Sequence, residues 1–155
     1  MAIIDKESLP YRPCVGLFLT NTDGLIFTAE RLDMPGAWQM PQGGIDGGET
    51  PEQAGIRELW EETSVAEHHI TLLGQTRDWL TYDLPDHLIG KAFKGKYRGQ
   101  KQHWLHCRLN APDSVINLET DHPEFGRWKW STPSEVISEI VDFKRDLYRQ
   151  VLDQF

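Results

Sequence analysis

Apolar positions in this chain recur in two rhythms, every second residue in some stretches and every fourth in others, and each change of rhythm marks a change of element. From Cys14 the run Val15, Leu17, Phe18, Leu19 reads as a strand. Asn21-Thr22-Asp23-Gly24 is a turn and Leu25-Ile26-Phe27 a second strand, which predicts a hairpin. After Pro35-Gly36 the extended segment Trp38-Gln39-Met40 stops at Pro41, and a glycine-rich loop runs from Gly43 to Gly48. Thr50-Pro51-Glu52-Gln53 then combines an N-cap, a proline at the first helical position and the glutamine of a capping box, predicting a helix from Pro51 to Glu62. Ile70 to Asp83 fits strand with bends, Leu84 to Gly99 a long basic loop, and Gln102 to Leu109 and Phe125 to Trp130 two further strands. Thr132-Pro133-Ser134-Glu135 repeats the capping box, and Phe143, Leu147, Val151 and Phe155 form the apolar stripe of a final helix. Strands, helix, strands, helices: this order predicts an α+β layered fold with mixed strands rather than a βαβ repeat.

Length and composition narrow the class. With 155 residues, no linker and no internal repeat, one domain over 1–155 around one core is expected. At 39% hydrophobic and 26% charged, with 13 Gly and 9 Pro, the chain is neither disordered nor collagenous. MAIIDKESLP lacks the apolar core of a signal peptide and no stretch is apolar enough to span a bilayer, so a cytoplasmic protein without a membrane partner is expected. Cys14 and Cys107 lie in apolar runs with no metal or redox spacing and read as small buried hydrophobes. Trp60, Trp104, Trp128 and Trp130, in regular elements, read as core. The net charge of −8, at first sight, argues against a nucleic-acid partner.

One helix changes that picture. Glu58, Glu61 and Glu62 stand at i, i+3 and i+4, within roughly a third of a turn, while Ile56, Leu59 and Trp60 fall on the other side. Like charges so spaced cost an isolated helix about 0.2–0.5 kcal/mol per pair, and Arg57 is the single cation in the segment. A solvated acidic face would carry interleaved lysines, and none is present. The chemical alternative is a site for hard divalent cations, which take carboxylate oxygens together with substrate phosphates. The preceding glycine loop adds free backbone amides at a positive helix end.

Gly43, Glu49, Arg57-Glu58-Leu59-Trp60-Glu61-Glu62 and Val65, at these intervals, resemble the Nudix box of hydrolases that cleave nucleoside diphosphates linked to another group. Chance agreement at six such fixed positions has a probability on the order of 10⁻⁷. Ser64 stands where the box usually has glycine at a left-handed helix end, which should cost about 1 kcal/mol and removes no ligand. The resemblance implies that Glu58, Glu61 and Glu62, with the Gly43 carbonyl, hold two or three Mg²⁺ or Mn²⁺ ions, and that Glu49 and Arg57 form a structural pair. It implies hydrolysis with Glu58 as first choice for the general base, Glu62 within the same catalytic set, and Glu124 as the alternative base or a fourth ligand.

Beyond the box, YRPCVG, WQMPQGGID, GQKQHW, PEFGRWKW and FKRDLY resemble the bacterial RNA 5′-pyrophosphohydrolases, also known as dinucleoside polyphosphate hydrolases. The implied fold is the Nudix α/β/α sandwich, with a mixed sheet between helices. The implied reaction is removal of pyrophosphate from the 5′ end of RNA, a step in mRNA decay, or asymmetric cleavage of diadenosine tetraphosphate to ATP and AMP; a monomer is expected. A non-catalytic nucleotide-binding module is the alternative from another class. From His87 to Pro112 there are six cations and no acid, either a phosphate-binding patch or a solvated loop, with Lys101 beside Gln100 the better phosphate contact. The resemblance maps base contacts onto Arg31, Val141 and Phe143, with Arg12, Tyr82 and Lys144 as neighbours; Phe143 could equally be core.

Overall fold

A computed structural model describes residues 5–155; Met1 to Ile4, part of the segment read for a leader, lie outside the described residues. Among the described residues eight strands join one mixed sheet. Its spine is β1 (Tyr11–Thr20), which runs parallel to β7 (Gly99–Leu109) from Tyr11↔Gly99 to Thr20↔Arg108. β5 (Ile70–Gln75) and β6 (Leu80–Asp83) pair antiparallel with the two halves of β7. On the other side of β1 lie β2 (Ile26–Arg31), β3 (Trp38–Gln39) and β4 (Gln42–Gly44), and β8 (Phe125–Ser131) pairs with β2.

Alternation along the strands divides the core. Val15, Leu17, Leu19, Leu105 and Cys107 face α1 (Pro51–Thr63). Phe18, Trp104 and Met40 face α2 (Pro133–Glu139) and α3 (Arg145–Gln154), which contribute Val136, Leu147 and Val151. The sandwich of helix, mixed sheet and helices is the predicted one. Both capping boxes form, Thr50 with Gln53 and Thr132 with Glu135. Cys14 and Cys107 are buried and free. Gly16 is in register with Trp104, whose indole fills the space a side chain at 16 would need.

Two expectations change. The Asn21 turn forms, its Oδ1 accepting from Asp23 and Leu25 N–H, yet β1 and β2 share only the Thr20↔Ile26 pair. The edge of β1 that a hairpin would use is taken by β4 at Cys14–Gly16, and β2 turns to β8 and β3. Trp60 is 56% exposed rather than core: the inward arc of α1 runs through Ala54, Gly55, Leu59 and Glu62, and Trp60 points away from it.

Candidate active site

Arg57 is the hub of the α1 surface. Its Nε and Nη2 donate to the two oxygens of Glu49 at 2.8 Å each, and Nη2 also donates to the Gly44 carbonyl at 3.0 Å. Nη1 donates to Glu58 at 2.8 Å and Glu61 at 3.2 Å. One guanidinium fork therefore ties the glycine loop to the helix, as expected of a bidentate Arg–carboxylate pair. Glu49 also accepts from the Asp46 N–H at 2.9 Å, and the Arg57 hydrogen bonds hold its carboxyl down at about 2. The glycine loop is needed for a steric reason as well: a Cβ at Gly43 would overlap the Glu58 carboxylate.

The remaining acids gather at a pocket of ≈ 350 Å³ whose lining includes Glu58, Glu61, Glu62, Asp121, His122 and Glu124. Burial pushes the Glu58 carboxyl up to about 7 despite its bond to Arg57. Glu62 is only 4% exposed, and neither of its carboxylate oxygens has a hydrogen-bond partner. Burial, then the Glu124 and Glu58 carboxylates, push it well above the usual carboxylate range. Among the described residues no three such side chains converge into a ready metal cluster, Glu58 and Glu61 both being turned to Arg57. The donor set nevertheless fits a hard divalent cation, because a buried carboxylate with two orphaned oxygens and like-charged neighbours is costly unless a cation compensates it.

A second cleft of ≈ 560 Å³ adjoins this corner, and Glu124 lines both. Arg31, Tyr82, Gln100, Phe143 and Lys144, all expected substrate contacts, line it. The Tyr82 and Phe143 rings lie 5.7 Å apart, and the Lys144 ammonium sits 5.3 Å from the Tyr82 ring centroid. Lys144 is buried, and that burial, then the charge of Arg31, lowers it to about 8. Below the cleft a buried ladder sets the floor: Gln102 Nε2 donates to Gln100 Oε1 at 2.7 Å and Trp104 Nε1 to Gln102 Oε1 at 2.9 Å. Arg12 lies between cleft and glycine loop, its guanidinium over the Phe93 ring at 5.7 Å and against Gly44.

Three expected contacts do not line the cleft: Arg12 at its edge, and Lys101 and Val141. Lys101 alternates to the face opposite Gln100 and lies over the Trp79 ring at 4.8 Å. Val141 packs against the core between the sheet and the last two helices. Conversely, Gln39, Gln42 and Phe93 line the cleft unanticipated, and the Oε1 atoms of Gln39 and Gln42 are buried without partners. Their signal was available, since glutamines three apart around Pro41 in otherwise extended chain are unusual for a buried strand pair.

Similarity to known proteins bears on this geometry. The NUDIX domain profile matches residues 10–151. A relative from Cereibacter sphaeroides (strain ATCC 17029 / ATH 2.4.9), named RNA pyrophosphohydrolase, is 49% identical over 153 residues, covering 98% of this chain and 94% of the relative. One from Sphingopyxis alaskensis with the same name is 51% identical over 154 residues, covering 99% and 98%. Among solved structures, the E. coli dihydroneopterin triphosphate pyrophosphohydrolase matches with a TM-score of 0.73 at 20% identity, covering 94% of this chain and 99% of that one. A C. elegans Ap4A hydrolase binary complex matches at 0.67 and 24% identity, covering 93% and 99%. These structural likenesses speak to the fold alone.

Proposed function

The chain belongs to the Nudix hydrolases, and on that premise we propose that it removes pyrophosphate from the 5′-triphosphate end of RNA, or orthophosphate from a 5′-diphosphate end, leaving a 5′-monophosphate. The observation that carries this reading is the shared wall at Glu124: an acidic corner able to handle phosphates opens directly onto a cleft sized and furnished for a nucleobase. Relatives at about half identity over nearly the full length carry the matching name. Hydrolases of this family need divalent metal ions. Glu58, Glu61, Glu62 and Glu124, with the Gly43 carbonyl, would hold two or three Mg²⁺ or Mn²⁺ ions. Bound there, such ions neutralise phosphate oxygens and acidify the attacking water.

The chain's own groups divide the remaining work. Glu58, half-buried and held beside the glycine loop, takes the proton of the water as its oxygen attacks phosphorus and the P–O–P bond breaks. Arg57 and Glu49 hold Glu58 against the glycine loop. Arg12, beside the cleft, and Lys144, within it, meet the substrate's negative charge, while Arg31 contacts a base and Tyr82 and Phe143 offer rings for stacking. We read the chain as a single catalytic domain acting as a cytoplasmic monomer; no helix among the described residues is long and apolar enough to cross a membrane.

The test is incubation of 5′-triphosphate RNA with the protein and Mg²⁺, with diadenosine tetraphosphate run in parallel. Pyrophosphate release with a higher kcat/KM on RNA is expected. Failure to form 5′-monophosphate RNA would overturn the reading, and a higher kcat/KM on the dinucleotide would move it to the other substrate.

A further inference from the structure

Arg31 enters the cleft from a loop held by hydrogen bonds of its own. The β2–β8 register shifts between Glu30 and Arg31, turning the chain out of the sheet. Arg31 N–H donates to Ala37 O at 3.0 Å and Ala37 N–H to Met34 O at 3.0 Å. Leu32 N–H donates to Glu124 O at 2.9 Å, which fastens the loop to the strand end carrying the acidic corner. Gly36, in the left-handed region at φ 87, donates its N–H to Glu30 Oε2 at 3.0 Å. The loop thus has four ties, and the side chain at 33 projects from a fixed base.

Asp33 accepts from Arg31 twice, from Nε at 2.9 Å and from Nη2 at 2.7 Å. The carboxylate is 68% exposed and the arginine side chain 25%, so the acid stands outside and holds the base inward. As a contribution to stability such an exposed pair is worth little. Its geometry has another consequence. A bidentate bond uses donors in the guanidinium plane, occupies neither π-face itself, and fixes the orientation of that plane. It also opposes the repulsion between Arg31 and the buried ammonium of Lys144 in the same cleft. Without Asp33, binding would have to immobilise a rotamer-rich side chain that like charge pushes away.

Resting on the assignment of Arg31 to base contact made above, we propose that Asp33 is a positioning residue that presents Arg31 as a preset flat platform for a nucleobase. Base recognition then depends on a carboxylate that never touches the base.

The experiment compares Asp33→Asn, Asp33→Glu and Arg31→Ala on 5′-triphosphate RNA and on the same RNA with abasic residues at its first two positions. Asp33→Asn should raise KM roughly 3- to 10-fold on the normal RNA, with kcat within about twofold and an unchanged Tm. On the abasic RNA its KM should equal that of the unaltered protein, because nothing is left to stack. Asp33→Glu, which keeps the charge, should recover part of the loss. If Arg31→Ala raises KM and Asp33→Asn does not, the positioning role is wrong while the Arg31 assignment stands. An equal KM rise on normal and abasic RNA would also overturn it, since the pair would then serve the phosphates or the loop. If Arg31→Ala leaves KM unchanged, the base-contact assignment itself fails and the proposal with it.

Discussion

Gly43→Ala separates the demands of the site from those of the fold. Gly43 has no left-handed φ, so its backbone tolerates alanine, and the entropic effect on the unfolded chain alone would stabilise by about 0.4–1 kcal/mol. Against this, the new Cβ overlaps the Glu58 carboxylate, the far end of a side chain that can rotate away. Rotation breaks the 2.8 Å bond from Arg57 Nη1, a charge-assisted contact worth about 1.5–3 kcal/mol. The net loss of stability is therefore about 1–2 kcal/mol, or a Tm lowered by roughly 2–8 °C for a domain of this size. Activity should respond far more. On the proposed role of Glu58 as general base, its displacement should cost about 10²- to 10⁴-fold in kcat, or about 3–5 kcal/mol of barrier. Stopped assays on triphosphate RNA read kcat, and thermal unfolding reads Tm. The double variant Gly43→Ala/Glu58→Gln should be no slower than the slower single variant, because both act through one carboxylate. A kcat within threefold of the unaltered protein, or additive losses in the double variant, would refute the placement of Glu58.

Glu62→Gln tests the buried charge by pH. A carboxyl whose folded pKa lies above its unfolded value binds more protons when folded, so its contribution to stability is full at low pH and is lost as pH rises from about 4.5 through the folded value. In EDTA the variant should therefore be more stable than the unaltered protein at pH 8, with the gap closing toward pH 5; Mg²⁺ should raise Tm of the unaltered protein far more than of the variant. A variant less stable in EDTA at pH 8 would contradict the account. Ser64 adopts φ 65 at the end of α1, and its hydroxyl donates to Asn117 O at 2.8 Å. Relief of about 1 kcal/mol of left-handed strain and loss of a hydrogen bond of similar worth nearly cancel in Ser64→Gly, whereas Ser64→Ala keeps the strain and should lose about 1 kcal/mol by urea titration. Gly55→Ala gains about 1 kcal/mol of helix propensity but drives a methyl into Leu105, and overpacking of about 1–3 kcal/mol should win; a stabilised variant in urea would show that α1 can lift from the sheet.

Local rules carried the sequence reading wherever the answer lies within one element. The capping boxes, the spacing of Glu58, Glu61 and Glu62, and the α3 stripe through Leu147 and Val151 need only helical periodicity. The hairpin misled because strand partners are chosen by edges far away in sequence, here β4, β7 and β8. Trp60 misled because the glutamate arc itself faces partly inward: Glu62 takes an interior position that hydrophobicity would have given to tryptophan. Gln39 and Gln42 stand out in the sequence as a pair around Pro41, but that their Oε1 atoms end buried without partners is displayed only by the fold.

Charge shows why local pairing outranks the net sum. The excess of acids is partly neutralised within the molecule, since Arg57 alone engages Asp46, Glu49, Glu58 and Glu61, and the uncompensated demand falls on Glu62 beside Glu124. The basic segment is likewise committed in part: Arg98 bonds Asp83 and stacks on Tyr11, and Lys101 covers Trp79. The positive charge inside the cleft comes from Arg31 and Lys144, which lie outside that segment. Exposed charges are screened beyond about 8–10 Å at physiological salt, so a phosphate entering here responds to these few partly buried groups rather than to a net of −8. A chain that is acidic overall can therefore hold a polyanion, provided its unpaired acids are the ones that recruit cations and its partly buried cations line the neighbouring wall.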